Sequence, residues 1–483
     1  MASQQHQERN MGYDQNTMKV LDHCQVSPPA GSVPTTSLPL NFFDIKWLLK
    51  PKNTPIQRFY LYEFPHPTHH FMQTVLPILK QSLSLTLQHL YPCASNLVCP
   101  PQPNKPHILY VDGESSVNFT VSEWSNANFE QLIADYPREV SIYHPFVSSL
   151  PPTRTLEDGT RLIPLMSVHV TVIPNFGFGI CIGIQHVCTD GKGFLNLMKL
   201  WSSICKTRGE CLSHFEKKSM PLHDRRVVKD PNGLELTFLK ELWSRAESGR
   251  EEDDTGGIHF SPAHHDKVRA SFVLSKAHIE KLKQLACLIC KKEELKTFHI
   301  STFVVISALI WVCMVKSKGK ETRNDDEDDL YHLTFGIDCR NHCGFPLTYF
   351  GNCVAPCYVP LKRSQILGEN GIVEAAKAIG EKVVESKTSA LSWLTKRARN
   401  GTKLEYSNKI PMAGSPRLGG YETDFGWGRP LKLEAVHIDE ADSVSLAESR
   451  DEEGGVEIGV VLGRTPMNDF NSLLAGYMRI FAG

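Results

Sequence analysis

The segment from residue 176 to residue 192 constrains the fold of this chain more than any other stretch. From 176 to 186, large side chains alternate with small ones, which is the period-two pattern of a β-strand. One face carries Phe176, Phe178, Ile180, Ile182, Ile184 and His186, and the other carries Gly177, Gly179, Cys181, Gly183 and Gln185. The glycine-lined face lets another backbone or a ligand come close. The pattern predicts a buried strand that ends in an imidazole on its core-facing side.

A helix is predicted directly after this strand. Asp190 and Gly191 follow the imidazole, and glycine permits the positive φ of a tight strand-to-helix turn. Apolar residues then recur with the spacing of one helix face, at Phe194, Leu197, Met198, Trp201 and Cys205. The turn therefore holds His186 where it can face a cavity. Two roles are open to Asp190: it holds the imidazole in one tautomer, or it turns away and fixes the loop through an arginine.

The composition is that of an ordinary globular protein. The chain has 483 residues, of which 41% are hydrophobic and 22% are charged, and this length suggests about two to four domains. A formal net charge of −1 argues against a nucleic-acid partner. The N-terminal residues lack the apolar core of a signal peptide, and no apolar run approaches the ~20 residues of a membrane span. We therefore expect a cytoplasmic protein with reduced cysteines and no membrane partner.

Three cysteine pairs have spacings that resemble those of metal sites: Cys287 and Cys290, Cys339 and Cys343, and Cys353 and Cys357. Structural zinc sites usually combine two such pairs. Here the first and last pairs lie in apolar stretches, so we interpret these cysteines as buried small hydrophobes. His186 and Asp190 alone would supply too few ligands, and we expect no metal site.

Strand and helix patterns are mixed in both halves of the chain. Residues 1–17 are polar and predicted to be disordered, and residues 18–206 are predicted to form an N-terminal domain. The polar stretch 207–265 is interpreted as a crossover linker with a helix near 236–247, and residues 266–483 as a C-terminal domain. The acidic run 325–329 is predicted to be a solvated loop. The sequence thus indicates two α/β units that face each other.

The histidine by itself is weak evidence for catalysis, because many buried histidines only satisfy a hydrogen bond. The chain also lacks a G-x-S-x-G nucleophile elbow, so a serine-hydrolase triad lacks its signature.

Two motifs give this histidine a context. His186-Val-Cys-Thr-Asp190-Gly191 and Thr423-Asp424-Phe425-Gly426-Trp427-Gly428 resemble the signature motifs of the BAHD acyl-CoA-dependent acyltransferases, and the interval between them also fits. Further matching stretches are 38–44, 83–92, 301–305 and 338–340. The stretch Tyr349-Phe-Gly-Asn-Cys353 resembles the corresponding stretch in the branch of this family that acylates flavonoid and other phenolic glycosides, often from malonyl-CoA. Condensation domains share the first motif but carry a second histidine where this chain has Gln185.

The resemblance implies a fold and a reaction. The fold would comprise two chloramphenicol-acetyltransferase-like domains, each a mixed sheet flanked by helices, with a channel between them. His186 would remove the proton from an acceptor hydroxyl as its oxygen attacks the thioester of acyl-CoA, with no acyl-enzyme. A positioned base typically contributes about 10²–10⁴-fold in rate. The substrates would be acyl-CoA, with malonyl-CoA favoured, and a phenolic, flavonoid or anthocyanin glucoside; the protein would be a monomer with no permanently bound cofactor.

The resemblance also assigns roles to residues outside the first motif. Asp190 would point towards Arg340 and stabilise the fold. Asp424 has been regarded as catalytic in the family, but Gly426 and Gly428 around Trp427 indicate a rigid turn that Asp424 caps. We therefore favour a structural or CoA-organising role for this turn, with an oxyanion contact from Trp427 as the alternative.

The resemblance also points to residues that would bind acyl-CoA. Ser301 and Thr302 begin a predicted helix, whose free amides favour a phosphate. Lys283 and His299 lie nearby in the sequence and are either further CoA contacts or solvated surface residues. Lys192 occupies the place of a basic residue that would bind a malonyl carboxylate. A hydroxycinnamoyl-CoA or acetyl-CoA donor is the alternative within the enzyme class, and a catalytically silent binding relative is the alternative outside it.

Overall fold

We describe the fold from a computed structural model, which covers residues 18–50, 55–210, 220–248, 266–292, 298–319, 328–400 and 408–482. The predicted disordered segment 1–17 and residues 325–327 of the acidic run lie outside these ranges. Within them, no helix combines the length and apolar character that crossing a membrane requires.

The strands are β1 (Met18–Val26), β2 (Thr36–Pro39), β3 (Ile56–Glu63), β4 (Asn96–Cys99), β5 (His107–Tyr110), β6 (Val117–Trp124), β7 (Arg138–Glu139), β8 (Arg154–Thr155), β9 (Arg161–Pro164), β10 (Met166–Ile173), β11 (Gly177–Ile184), β12 (Lys267–Leu274), β13 (Leu330–Asp338), β14 (Val354–Lys362), β15 (Lys409–Gly414), β16 (Lys432–Ala435), β17 (Ser443–Glu448) and β18 (Val456–Gly463).

The α-helices are α1 (Phe42–Leu48), α2 (Thr68–His70), α3 (Leu76–His89), α4 (Phe129–Ile133), α5 (Gly191–Lys206), α6 (Leu234–Glu247), α7 (Lys276–Lys292), α8 (Thr302–Lys318), α9 (Arg340–Cys343), α10 (Arg363–Leu367), α11 (Gly371–Asn400) and α12 (Arg464–Ala482). A π-helical turn at Phe71–Val75 joins α2 to α3. Short 3₁₀ segments include Arg225–Val227, Gly420–Glu422 and Val436–Ile438.

The first large sheet holds the predicted strand at its centre. Its order is β1-β6-β10-β11-β3-β16, and all eight residues of β11 are buried. The even-numbered residues of β11 pack in a core to which α3 and α5 also contribute. The glycine face is filled by the protein itself, because a Cβ on Gly179 would lie 2.2 Å from the ring of Phe59 and one on Gly183 would lie 2.6 Å from Gln57 Nε2. The close approach that the glycines allow is therefore made by neighbouring side chains.

The second large sheet has the order β14-β13-β15-β17-β18-β12-β7. Helix α8 packs in the core of this sheet and is buried at every residue from Val304 to Val315, as expected for a helix enclosed on all sides. A five-stranded sheet of order β2-β5-β4-β9-β8 completes the structure.

The two large sheets exchange one strand each. β16 comes late in the chain but pairs with β3, and β7 comes early but pairs with β12. At this exchange Glu434 of β16 forms buried ion pairs with Arg138 and Arg269, and Arg269 also pairs with Asp439. The strand exchange and the buried charges bind the two parts of the chain together, and the domain boundaries at 206 and 266 stay a prediction.

Several predicted elements are confirmed, while others are wrong in extent. The helices expected at 75–90, 236–247, 301–316 and 372–399 are present as α3, α6, α8 and α11. The strand predicted across 162–172 is two strands, β9 and β10, and the one predicted across 431–438 ends at Ala435. Of the paired cysteines, Cys287 is exposed, contrary to the prediction, whereas Cys290, Cys339, Cys353 and Cys357 are buried free thiols.

Candidate active site

His186 lies two residues beyond the end of β11, and its ring is covered on one face by Trp47. The ring centroids are 3.3 Å apart and the planes differ by 13°. Trp47 belongs to α1, which begins with a capping box: Asn41 Oδ1 accepts from Phe43 N at 2.8 Å, and Asp44 Oδ2 accepts from Asn41 N at 3.1 Å. The cap sets where α1 begins and hence where the indole meets the imidazole.

Asn352 determines which nitrogen of His186 carries the proton. The Asn352 amide group donates to Asp44 Oδ1 at 2.9 Å and to the carbonyl of His186 at 2.8 Å, so its Nδ2 must face these acceptors. Its Oδ1 therefore faces His186 Nδ1, at 3.2 Å. An amide oxygen can only accept, so Nδ1 is the protonated nitrogen and Nε2 keeps its lone pair for a substrate.

A buried polar network supports Asn352 from behind. Asp44 is fully buried and forms an ion pair with Arg225, whose Nη1 lies 3.4 Å from Asp44 Oδ1. Arg225 also donates to the carbonyl of Cys188 at 2.8 Å, and Asn41 Nδ2 donates to Tyr349 Oη at 2.8 Å. Burial raises the pKa of Asp44, and the charge of Arg225 opposes this rise. Because these groups are packed and hydrogen-bonded, Asn352 has little freedom to turn.

The surroundings of His186 keep the imidazole neutral. Burial lowers its pKa well below the usual value near 6.5, and the positive charges of Lys50 and Lys46 lower it further. The Lys50 ammonium group lies 3.9 Å from the centroid of the Trp47 ring, on the residue that covers His186. A neutral imidazole at pH 7 is the form that can accept a proton.

These surroundings predict an unusual pH profile. The active form is the deprotonated one, so kcat/KM should hold constant through pH 6.5 and fall only at the lower pH where His186 gains its proton. Lys50→Met removes a cation that disfavours the imidazolium, so the acidic limb should move upward, towards the ordinary histidine value. Initial rates of the wild type and Lys50→Met, measured between pH 4.5 and 8, would show this shift. If the acidic limbs of the two pH profiles coincide, Lys50 does not affect the pKa of His186.

Asp190 turns away from His186. Its carboxylate caps α5 through the amides of Lys192 and Gly193, at 3.2 and 3.1 Å, and accepts from Cys353 N at 3.0 Å. It also pairs with Arg340, whose Nη2 lies 3.0 Å from Asp190 Oδ2, and both side chains are fully buried. Of the two roles left open by the sequence, this geometry supports the fixing of the loop through an arginine.

The glycine that the turn requires is not the one expected. Gly191 has no positive φ, and a Cβ placed on it would meet no atom within 4 Å. At Gly193, by contrast, a Cβ would lie 1.8 Å from Thr189 Oγ1. The prediction that Gly191 adopts a positive φ is therefore wrong. The position in this turn that has no room for a side chain is Gly193.

The second motif lies at the other end of β11. Asp424 Oδ1 accepts from the amides of Gly426 and Gly428 at 2.8 and 3.0 Å, and both glycines have positive φ. Trp427 packs edge-to-face against Phe178, with ring centroids 6.1 Å apart. Phe178 is six residues before the end of β11, which corresponds to about 20 Å along the strand. Asp424 and Trp427 thus shape a turn far from His186.

The residues expected to bind CoA are dispersed. Ser301 caps α8, accepting from Val304 N at 3.4 Å, and Thr302 is the first residue of that helix. Lys283 pairs with Glu280 at 2.7 Å on α7, and His299 is exposed. Lys192 Nζ lies 3.3 Å from Asp338 Oδ2, so its charge is already balanced by a carboxylate. The CoA-binding roles of these residues stay a prediction.

A cavity of about 240 Å³ lies beside Trp47, between α1, α6 and strands β13–β15. Its lining is mainly apolar and aromatic, with Lys46, Lys50 and Glu241 as the charged members. Because Trp47 both lines this cavity and stacks on His186, a ligand in the cavity would come close to the imidazole. Such a lining suits an aromatic or aliphatic group.

Sequence reasoning missed Trp47, Asn352, Asp44 and Arg225. The capping box of Asn41 and Asp44 was visible as Asn-x-x-Asp before an apolar stretch and would have predicted α1. Nothing local reveals that Asn352 meets His186, because the two residues are 166 positions apart.

The chain is similar to known proteins over nearly its whole length. The model of a family described as the transferase family matches residues 23–474. The chain is 37% identical, over 96% of its length and 98% of the relative, to coumaroyl-CoA:anthocyanidin 3-O-glucoside-6''-O-coumaroyltransferase 1 of Arabidopsis thaliana. It is 36% identical, over 94% of its length and 96% of the relative, to malonyl-coenzyme A:anthocyanin 3-O-glucoside-6''-O-malonyltransferase of Dahlia pinnata.

Solved structures show the same fold at low sequence identity. Vinorine synthase aligns with a TM-score of 0.64 and 18% identity, over 94% of this chain and 96% of that one. F. graminearum TRI101 complexed with ethyl coenzyme A aligns with a TM-score of 0.63 and 15% identity, over 90% of this chain and 96% of that one. The mixed α/β fold with two domains that the sequence indicated is thereby confirmed.

Proposed function

Because the chain belongs to the transferase family of BAHD acyl-CoA-dependent acyltransferases, we propose that it transfers an acyl group from acyl-CoA to a sugar hydroxyl of a phenolic glycoside. The family assignment from the two motifs is confirmed, and the relatives named above carry acyltransferase names for anthocyanidin or anthocyanin glucosides. The observation that carries the mechanism is the contact between Asn352 Oδ1 and His186 Nδ1.

In the proposed reaction, His186 Nε2 accepts the proton of the acceptor hydroxyl. A sugar hydroxyl is too weakly acidic to ionise at neutral pH, so the proton must leave while the oxygen attacks the thioester carbonyl. The C–O bond forms, the carbonyl π electrons move to oxygen, and a tetrahedral intermediate results. When the carbonyl re-forms, the C–S bond breaks, and the proton on Nε2 passes to the CoA thiolate, which returns His186 to its neutral state.

A screen of donors and acceptors tests this function. The protein is incubated with quercetin glucoside or an anthocyanidin glucoside and with malonyl-, p-coumaroyl- or acetyl-CoA, and the products are separated by mass spectrometry. Acylated glycoside should form from at least one pair and be absent with His186→Ala. A wild-type protein that yields no product with any pair but binds the glycosides would support the silent binding relative instead.

Asn352 should act as a positioning residue. Asn352→Ala removes the acceptor that selects the tautomer of His186, so kcat should fall by about 10- to 100-fold while the KM for acyl-CoA stays near its wild-type value. Steady-state kinetics with varied acyl-CoA would separate the two constants. Asn128→Ala is the matched control, because Asn128 caps α4 through Gln131 N at 3.0 Å and lies outside the network of Asp44, Arg225 and Asn352 behind His186. A fall in stability without a fall in kcat would show that Asn352 only supports the fold.

A further inference from the structure

His437 is a second histidine at the edge of the sheet where His186 lies. It follows the end of β16 by two residues, just as His186 follows the end of β11 by two residues. Both strands pair with β3 in antiparallel orientation, so they run in the same direction and end at the same edge of the sheet. Two strand spacings of ~4.8 Å separate them, which places the two segments about 10 Å apart.

The register of the strands places both imidazoles on one face of the sheet. Ala435 of β16 and Ile182 of β11 pair with the same residue of β3 and therefore share a face. Because side chains alternate between faces, His186 and His437 continue this face beyond the ends of their strands. Val436 agrees with this alternation, since it packs in the hydrophobic cluster on the opposite face.

Both histidines are surrounded by protein and are still accessible. Burial is the largest cause that lowers the pKa of each, and the pKa of His437 falls to about 3. Each residue nevertheless stays only half-buried, as expected for a side chain that lines an internal channel. The charge of Lys50 lowers the pKa of both histidines, and His437 also lowers the pKa of His186. The three groups therefore lie around one accessible space.

A backbone carbonyl determines the tautomer of His437. Its Nδ1 lies 2.9 Å from the carbonyl oxygen of Gln57, which can only accept a hydrogen bond. Nδ1 therefore carries the proton, and in the neutral ring Nε2 keeps a lone pair. The carbonyl is held in place, because the Gln57 side chain donates to the carbonyl of Ser148 at 2.7 Å. Nε2 has no hydrogen-bond partner among the described residues and is not fully enclosed, so a ligand can reach it.

Two acceptors that face one space suit a ligand with several hydroxyl groups. His186 Nε2 and His437 Nε2 each offer a lone pair, and neither neutral ring can donate through that nitrogen. A carboxylate offers only acceptors and would find no donor on these two atoms. A hexose carries hydroxyl groups around its whole ring and can donate to both nitrogens at once.

We propose that His437 binds the sugar of the acceptor, its Nε2 accepting a hydrogen bond from a second hydroxyl of the hexose while His186 Nε2 faces the hydroxyl that is acylated. This assignment rests on the proposed acyltransferase function and names the part of the acceptor that the site recognises. In this role His437 contributes to binding and takes no part in proton transfer.

Two substitutions separate the functions of the two ring nitrogens. Asparagine places an amide near the position of Nδ1 and can keep the hydrogen bond to Gln57, whereas glutamine reaches the position of Nε2 and can accept from the sugar. His437→Asn should raise the KM for quercetin 3-O-glucoside about 3- to 10-fold, the usual worth of one neutral hydrogen bond. Its kcat and its KM for acyl-CoA should stay near the wild-type values, and the KM of His437→Gln for the glucoside should lie between the two.

An acceptor without a sugar provides the matched substrate. The 3-O-(2-hydroxyethyl) ether of quercetin offers a primary hydroxyl and no second one near it, so His437→Asn and the wild type should acylate it with equal kcat/KM. His107→Asn is the control variant. His107 is also half-buried, with its Nδ1 3.4 Å from the carbonyl oxygen of Lys105, but it lies in the five-stranded sheet. Its KM for the glucoside should equal that of the wild type.

The outcomes separate this assignment from the proposed function. An unchanged KM for the glucoside in His437→Asn would overturn the sugar subsite, as would equal losses with the glucoside and the hydroxyethyl ether. A fall in kcat alone would also overturn it and would place His437 in proton transfer.

If the wild type acylates neither acceptor, the proposed function fails, and titration calorimetry still tests the subsite. A lower Kd for the glucoside than for the hydroxyethyl ether in the wild type, with this difference lost in His437→Asn, would support it. The same difference in both proteins, or no difference in the wild type, would overturn it.

Discussion

Replacement of His186 by alanine is expected to lower kcat by about 10²–10⁴-fold, the usual contribution of a positioned general base. The expectation follows from the tautomer: Asn352 Oδ1 holds the proton on Nδ1, which leaves Nε2 as the base. The KM for acyl-CoA should change little, because the imidazole acts on the acceptor hydroxyl. Single-turnover and steady-state rates of acylated-glycoside formation would measure the loss.

A matched variant separates chemistry from folding. His23→Ala removes an exposed histidine of β1 that contacts Thr120 Oγ1 at 3.0 Å; β1 is an edge strand, separated from β11 by β6 and β10. Its kcat should equal that of the wild type, and the melting temperatures of both variants should remain close to the wild-type value. Retention of more than a tenth of the wild-type kcat in His186→Ala would mean that another group removes the proton.

Replacement of Asp190 by alanine is expected to reduce the free energy of unfolding by about 3–5 kcal/mol, the range found when one member of a buried ion pair is removed. Four donors converge on this carboxylate: two amides that begin α5, the amide of Cys353 and the guanidinium of Arg340. Alanine would leave all four without this acceptor, and the loss of the helix cap alone is worth about 1 kcal/mol. The rate should fall as well, because the same turn positions His186.

Urea denaturation of the wild type, Asp190→Ala and Asp190→Asn would measure this loss. Asparagine keeps the capping oxygen and removes the charge, so its loss of stability should be smaller than that of alanine. Asp158→Ala serves as the surface control, since Asp158 only accepts from Thr160, at 2.9 and 3.0 Å. An Asp190→Ala variant with wild-type stability and no activity would assign Asp190 a direct role in catalysis instead.

The alternation of large and small residues that predicts β11 is absent from β3, so the sequence did not predict β3. β11 alternates large and small residues, and its period is visible without any knowledge of the fold. β3 is buried on both faces for most of its length, so its sequence has no alternation, although a run of aromatic residues marks it as a candidate strand.

The sequence by itself determined the features that depend on neighbours along the chain: the strand that ends at His186, the helix that follows Asp190, the turn around Trp427, and the two motifs that identify the family. Only the tertiary structure decided which charges are paired. Lys192 is balanced by Asp338, 146 positions away, and Arg340 is balanced by Asp190, 150 positions away. Protonation and charge depend on burial and on contacts between distant segments, and local periodicity carries no information about either.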